Sequence, residues 1–254
     1  MRDLYRAIPL IAVMALAVPL QLEAQEFFGE DLNNSEHTAL TATPNSDAAE
    51  AEFLDRLVGV GTETFESTPT GEEPPIDLTF PGAGDAELNG VGEIDYVTPG
   101  TTNGYGRYAT SGAKFFSLDT ADLFEIVFAE PVAAFGFFGV DISDFGEDLF
   151  LTFVRNGGTN TEVLVPNTQG VDGSTGGSVL FYGYIDAANP FDAVQFRSSD
   201  GEVFAFDDMT IGSVEQVIPP NSTVPEPISM ALLGTGLAGV AAARRRKRAE
   251  KAQD

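Results

Sequence analysis

The chain is predicted to form an all-β domain, a two-sheet sandwich or a barrel, with one short helix at its start. From Gly61 to about Ile211 no helical period survives, and short runs of Phe, Val, Ile, Thr and Tyr alternate with Gly, Asn, Asp and Pro clusters. The runs recur roughly every 8–12 residues, the spacing of sandwiches and barrels. With 20 Phe and no Trp, their apolar weight makes a phenylalanine core.

Arg2 and Arg6 precede the apolar run 7–20, and Leu22-Glu23-Ala24 offers a small residue ahead of Gln25. Residues 1–24 therefore read as a secretory signal peptide, with an uncleaved first helix as the alternative. Residues 25–46 are polar, with Asn33-Asn34-Ser35 and Thr43-Pro44-Asn45, and read as a poorly ordered leader. A short helix over 47–60 comes next. Asp47 is its N-cap, Glu50 sits three residues on as in a capping box, and Phe53, Leu54, Leu57 and Val58 recur at helical spacing. It is expected to pack as a lid or brace on the β domain.

The β domain spans 61–214. Its candidate strands are 62–66, 76–80, 92–97, 105–110, 113–118, 123–129, 133–142, 149–155, 161–165, 178–185, 193–197 and 203–211. Ala133, Phe135 and Phe137 alternate with Ala134, Gly136 and Phe138, so both faces of that strand are covered. Asn156-Gly157-Gly158 marks a hairpin turn. Residues 215–223 read as a linker.

The chain ends in an ordered tail: Val224-Pro225-Glu226-Pro227, an apolar segment over 228–243, and a basic cluster over 244–248 that opens with Arg244, Arg245 and Arg246. The prolines fix their own dihedrals and bias the preceding residues towards extended backbone, so Glu226 is presented as a protease needs it. The 16 residues of 228–243 fall below the roughly 20 that span a bilayer untilted, and flanking Arg and Lys can snorkel to close the gap. They read as a short transmembrane helix, with the basic cluster held in the cytoplasm. A simple C-terminal anchor is the alternative.

This order resembles the PEP-CTERM sorting signal, the substrate of exosortases. The blocks Thr64-Phe65-Glu66, 134–142, 176–183 and 204–212 also look like those of PEP-CTERM ectodomains. The resemblance implies a jelly-roll-like β-sandwich, with signal peptidase and an exosortase as processing partners. It also implies export through the inner membrane as a transiently anchored precursor, then release to the cell surface or beyond in association with exopolysaccharide or biofilm. It carries no established activity.

Composition narrows the chemistry. No cysteine is present, which removes disulfides, thiolate metal sites and a cysteine nucleophile. Eight of the 13 Lys and Arg lie in the two targeting ends, leaving Arg56, Arg107, Lys114, Arg155 and Arg197 against 34 of the 39 acids, a formal charge near −29. Nucleic-acid binding is excluded on that balance, whereas solubility and divalent cations are favoured. The single His37 lies in the leader, so a Ser-His-Asp triad and a His-based zinc site lack parts. Ser111-Gly112-Ala113-Lys114 matches Ser-x-x-Lys but feeds a β-like Phe-Phe run, and the companion Lys-Thr-Gly motif is missing.

The sharper expectation is structural calcium at Glu66, Asp207 and Asp208, where the first and last strands of a jelly roll meet. The second acidic loop, Asp141, Asp144, Glu147 and Asp148, does not have EF-hand spacing and is expected to solvate a turn. The protein is expected not to be an enzyme. The rival reading is a carbohydrate-binding or glycan-hydrolysing module, for which Tyr105, Tyr108, Tyr182 and Tyr184 are the candidate platforms, with packing in the core or on a sheet face as the competing role for each.

Overall fold

The computed structural model describes residues 23–118, 124–199 and 203–219. In chain order it contains β1 (Gln25–Asp31), α1 (Pro44–Leu54), β2 (Thr62–Glu63), β3 (Ile76–Phe80), β4 (Gly84–Asn89), β5 (Glu93–Tyr96) and β6 (Lys114–Ser117). Then come β7 (Phe124–Val132), β8 (Ala134–Val140), β9 (Leu149–Val154), β10 (Thr161–Leu164), β11 (Val179–Ile185), β12 (Phe191–Ser198) and β13 (Ala205–Gly212). Among the described residues no helix is long and apolar enough to cross a membrane.

All pairings are antiparallel, in two sheets. The first runs β1-β11-β8-β13-β6-β5 with β2 on the flank of β13, and the second runs β10-β9-β12-β7-β4-β3. Within them, β6-β13-β8-β11 faces β7-β12-β9-β10, so the chain changes sheet at nearly every step from β6 to β13. That order is a jelly roll, and β1 to β5 widen its two sheets.

Sequence alternation explains which face is wet. In β3 and β9, buried Ile76, Leu78, Phe80, Leu149, Leu151 and Phe153 alternate with exposed or half-buried residues, so the second sheet has one solvated side. β8, β11 and β13 are buried at every position. Phe135, Phe137, Tyr182, Tyr184 and Phe206 enter the core between the sheets, where Phe137, Phe196 and Phe206 make edge-on contacts with centroids 5.3–5.4 Å apart. The other side of β8 and β11 packs a second cluster around Phe53 of α1, with Phe27, Phe138 and Phe181. Gly136 and Gly183, opposite each other in register, make the floor for that ring: a Cβ added to either would come within 2.9 or 2.7 Å of Phe53. The helix braces the sheet as expected.

Several boundaries differ from the sequence reading. Residues 25–46 are not a disordered leader. β1 pairs along its full length with β11, and Phe27, Gly29 and Asp31 point inward while Glu26 and Phe28 point out. The segment after β1 is tied down by bonds from Asn33 N to Ser178 Oγ, Ser35 N to Gly176 O and Leu40 N to Tyr108 Oη. Asp47 is not the N-cap. The helix begins at Pro44 after Thr43, and the carboxylate of Asp31, 8 % exposed, accepts the backbone N–H groups of Asn45 and Ser46 and the Ser46 hydroxyl. A neighbouring strand thus supplies the cap that no local side chain provides. The start of the expected linker is folded as well: a 3-10 turn over Val214–Gln216 leads to Val217, which bridges Leu57, while Ile218 N donates to Arg56 O.

Residues 105–110 form a loop instead of a strand, because Gly104 and Gly106 turn it through left-handed backbone (φ 93° and 85°). β4 was absent from the sequence reading.

Candidate functional site

The pairing of β2 with β13 brings the start of the sandwich against its last strand, as expected, and places Glu66, Asp207 and Asp208 around one loop, residues 110–114. The ladder of β13 breaks between Asp207 and Thr210, and Asp208 adopts φ 47°, so two successive carboxylates reach that loop. Asp207, fully buried, accepts N–H groups from Thr110 at 2.9 Å, Ser111 at 3.3 Å and Asp208 at 2.8 Å. Asp208 accepts the hydroxyls of Thr110 at 2.7 Å and Ser111 at 2.6 Å. Glu66 accepts the N–H groups of Ala113 and Lys114, both at 2.7 Å.

Burial first, then the neighbouring Asp208, pushes the Asp207 carboxyl well above its usual range, against the pull of its N–H donors. Asp208 is also raised, by burial, against the pull of its two hydroxyl donors. The three side chains act as a latch on the loop, turned towards N–H and O–H donors. Among the described residues, no group of three or more His, Cys, Asp or Glu side chains is arranged to hold a metal.

The Ser-x-x-Lys pair lies in this latch. Ser111 donates to Asp208, and the Lys114 ammonium donates to the carbonyls of Glu66 at 3.0 Å and Thr68 at 2.6 Å. Neither is placed as an activated nucleophile or base.

A second region lies at the other end of the 98–107 loop, and the sequence reading named only parts of it. A depression of about 250 Å³ is lined by Glu36, Tyr105, Arg107, Asp141, Asp144 and Phe145, among others. A neighbouring one of about 570 Å³, containing Glu93, Asp95 and Tyr96, shares Tyr105 and Arg107 with it. Arg107 is held by Ser117 Oγ at 2.9 Å and Leu118 O at 3.1 Å, with its guanidinium 6.0 Å from the centre of the Tyr105 ring. The acidic loop expected to solvate a turn is in part buried: Asp141 and Asp144 are 5 % and 7 % exposed. Asp141, at φ 69°, accepts Gly177 N at 2.7 Å; Ser143, at φ 61°, donates its hydroxyl to Glu147 O. Burial raises Asp141 to about 7, helped by Asp144 and Glu36 and opposed by the Gly177 N–H and Arg107. Burial and Glu147 raise Asp144 to about 6. Raised carboxyls in a cleft mark a candidate site.

Of the four Tyr platforms, Tyr108, Tyr182 and Tyr184 are buried in the core, and Tyr105 is exposed. Val224, Pro225, Glu226, Pro227, Arg244, Arg245 and Arg246, like the expected transmembrane helix and most of the signal peptide, lie outside the described residues.

Comparison with known proteins bears on the tail. The family described as the PEP-CTERM protein-sorting motif matches residues 223–247, so the chain carries that motif. No curated protein matches. Among solved structures, the K2 cleaved adhesin domain of Lys-gingipain is similar at 15 % identity and TM-score 0.36, covering 60 % of this chain and 97 % of its own. The C-terminal family 22 carbohydrate-binding module of Clostridium thermocellum Xyn10B is similar at 17 % identity and TM-score 0.36, covering 63 % and 98 %. A mutant of CBM29-2, a family 29 carbohydrate-binding module, is similar at 13 % identity and TM-score 0.30, covering 60 % and 97 %.

Proposed function

We propose that this chain is cargo of an exosortase. It is exported through the inner membrane with the help of signal peptidase and held there by 228–243. Processing at Val224-Pro225-Glu226-Pro227 then delivers it to the surface, where the jelly roll acts as a non-enzymatic module associated with exopolysaccharide. The observation that carries this reading is the sorting motif at 223–247, which follows the β domain in the chain; among the described residues, Ile218 N still bonds Arg56 O.

The non-enzymatic part is supported by the commitment of Ser111 and Lys114 to the latch. Calcium belongs to the proposal as a structural ion at Glu66, Asp207 and Asp208, where it would relieve the same carboxylate repulsion that the Thr110 and Ser111 donors now offset. The test of sorting is replacement of Glu226 and both flanking prolines. The altered chain should stay full-length in the membrane fraction, and equal release of altered and native chains to the surface would overturn the reading.

A further inference from the structure

We infer that the groove over Tyr96, Tyr105 and Phe145 binds a polysaccharide chain that carries no negative charge. The inference deepens the exopolysaccharide reading and rests on its surface location. Four aromatic side chains are exposed among the described residues, and three of them, at 52 %, 68 % and 63 %, line these two adjoining depressions; Phe28 is the fourth. Apart from half-buried Phe150, the other described Phe and Tyr rings are buried, so leaving three large rings wet along one groove runs against the fold's general economy of apolar surface. Their chain positions are far apart, on β5, in the 98–107 loop and in the 141–148 loop, so no local pattern accounts for their convergence.

The surroundings define the ligand. An exposed ring face, negative through its quadrupole, suits the C–H face of a sugar ring, and carboxylates accept sugar hydroxyls. Arg107 lies over Tyr105 at 6.0 Å, and the Tyr105 side chain stays exposed. Glu147 Oε2, on the lining of the smaller depression, is buried and has no hydrogen-bond partner among the described residues. A purely apolar ligand would leave that oxygen unsatisfied. Charge excludes acidic glycans: Glu36, Glu93, Asp95, Asp141, Asp144 and Glu147 line the two depressions, and Arg107 is the one cation among the lining residues.

The loops are fixed before any ligand arrives. Gly106 N donates to Glu36 O, Gly170 N to Ser143 O and Gly173 N to Asp144 O. A ligand therefore meets a formed surface and spends little of its binding energy on ordering it.

The test is affinity electrophoresis of the full-length chain in a zwitterionic detergent without a sugar headgroup. The gels contain a neutral β-glucan, galactomannan or xylan, or alginate as the polyuronate. At least one neutral polysaccharide should retard the native chain, and alginate should not. Tyr105→Ala and Phe145→Ala should each weaken retardation about tenfold, the scale of a well-placed aromatic contact, while Tyr105→Phe keeps most of it. Retardation by none of the neutral polymers, equal retardation by alginate, or unchanged binding by both Ala variants would overturn the inference. Release of new reducing ends from a bound polymer would leave the groove standing and overturn the non-enzymatic role proposed for the jelly roll. Equal release of the tail variant and the native chain would overturn the sorting reading and leave this binding result untouched, so the two readings fail separately.

Discussion

Acid should stabilise this domain, and Asp141 should carry a measurable share of the effect. Its carboxyl moves from an ordinary 3.8 to about 7 in the fold, through burial at 5 % exposure and the nearby Asp144 and Glu36. A carboxyl raised by folding binds its proton more tightly in the native state than in the unfolded one. Its contribution is therefore fully present below the unfolded value and is lost as pH rises through the folded value. Each tenfold change in proton affinity is worth about 1.4 kcal/mol, so going from about pH 8 to about pH 5 should return roughly 2–3 kcal/mol through this one group. For a domain of this size that is about 5–10 °C in melting temperature.

General relief of the large negative charge adds to the rise, so the informative comparison is with Asp141→Asn, which keeps an acceptor for the Gly177 N–H and removes the titration. Thermal melting of both chains across that range is the assay. The variant should exceed the native chain at about pH 8, with the difference shrinking towards pH 5. A native stability that falls on acidification, or the same pH slope in both chains, would refute the reasoning.

Three further outcomes are expected. Gly183→Ala should cost about 1–3 kcal/mol in urea unfolding, because the new methyl meets Phe53 at 2.7 Å in a packed cluster; no change in the midpoint would show that the cluster is loose. Asp31→Ala should cost about 1–3 kcal/mol by leaving the first N–H groups of α1 without their acceptor, whereas Asp47→Ala, at the N-cap expected from sequence, should cost less; the reverse order would contradict the capping account. Calcium should raise the melting temperature more than magnesium, and Asp207→Asn with Asp208→Asn should abolish the difference; equal effects of the two ions, or a calcium shift that survives the substitutions, would remove the ion from the account.

How much of the fold is legible in the residues depends on how local the signals are. β3, β9 and β11 were legible because their inward residues are aromatic or branched and turn residues bound them. The two-sided burial of β8 was visible in its unbroken apolar run. β4 was not legible, since Gly84, Asp85, Glu87 and Asn89 outnumber the inward Ala86 and Leu88, and its strand character comes from pairing with β3 and β7. β1 was hidden in the same way by outward Glu26 and Glu30, on a sheet edge where polar residues are tolerated.

Asp47 resembled a cap because a capping box is a local pattern, whereas the real acceptor, Asp31, belongs to another element. The meeting of Glu66 with Asp207 and Asp208 followed from the topology implied by the family resemblance, but not the loop that fills the space between them, since 105–110 and 113–118 were read as strands with only 111–112 between them. Of the groove, Tyr105 and the acids of the 141–148 loop were noticed separately. Their proximity to each other, and to Tyr96, is created by the tertiary fold alone.

The central claim is that the chain is exported and then cut at its tail, and the mass of the surface form tests it most directly. Surface material should be collected from cells that express an exosortase and measured by intact mass spectrometry. The recovered species should lack the apolar segment and the basic cluster and end close to Val224-Pro225-Glu226-Pro227. A surface-located chain that still ends at Asp254 would contradict the account.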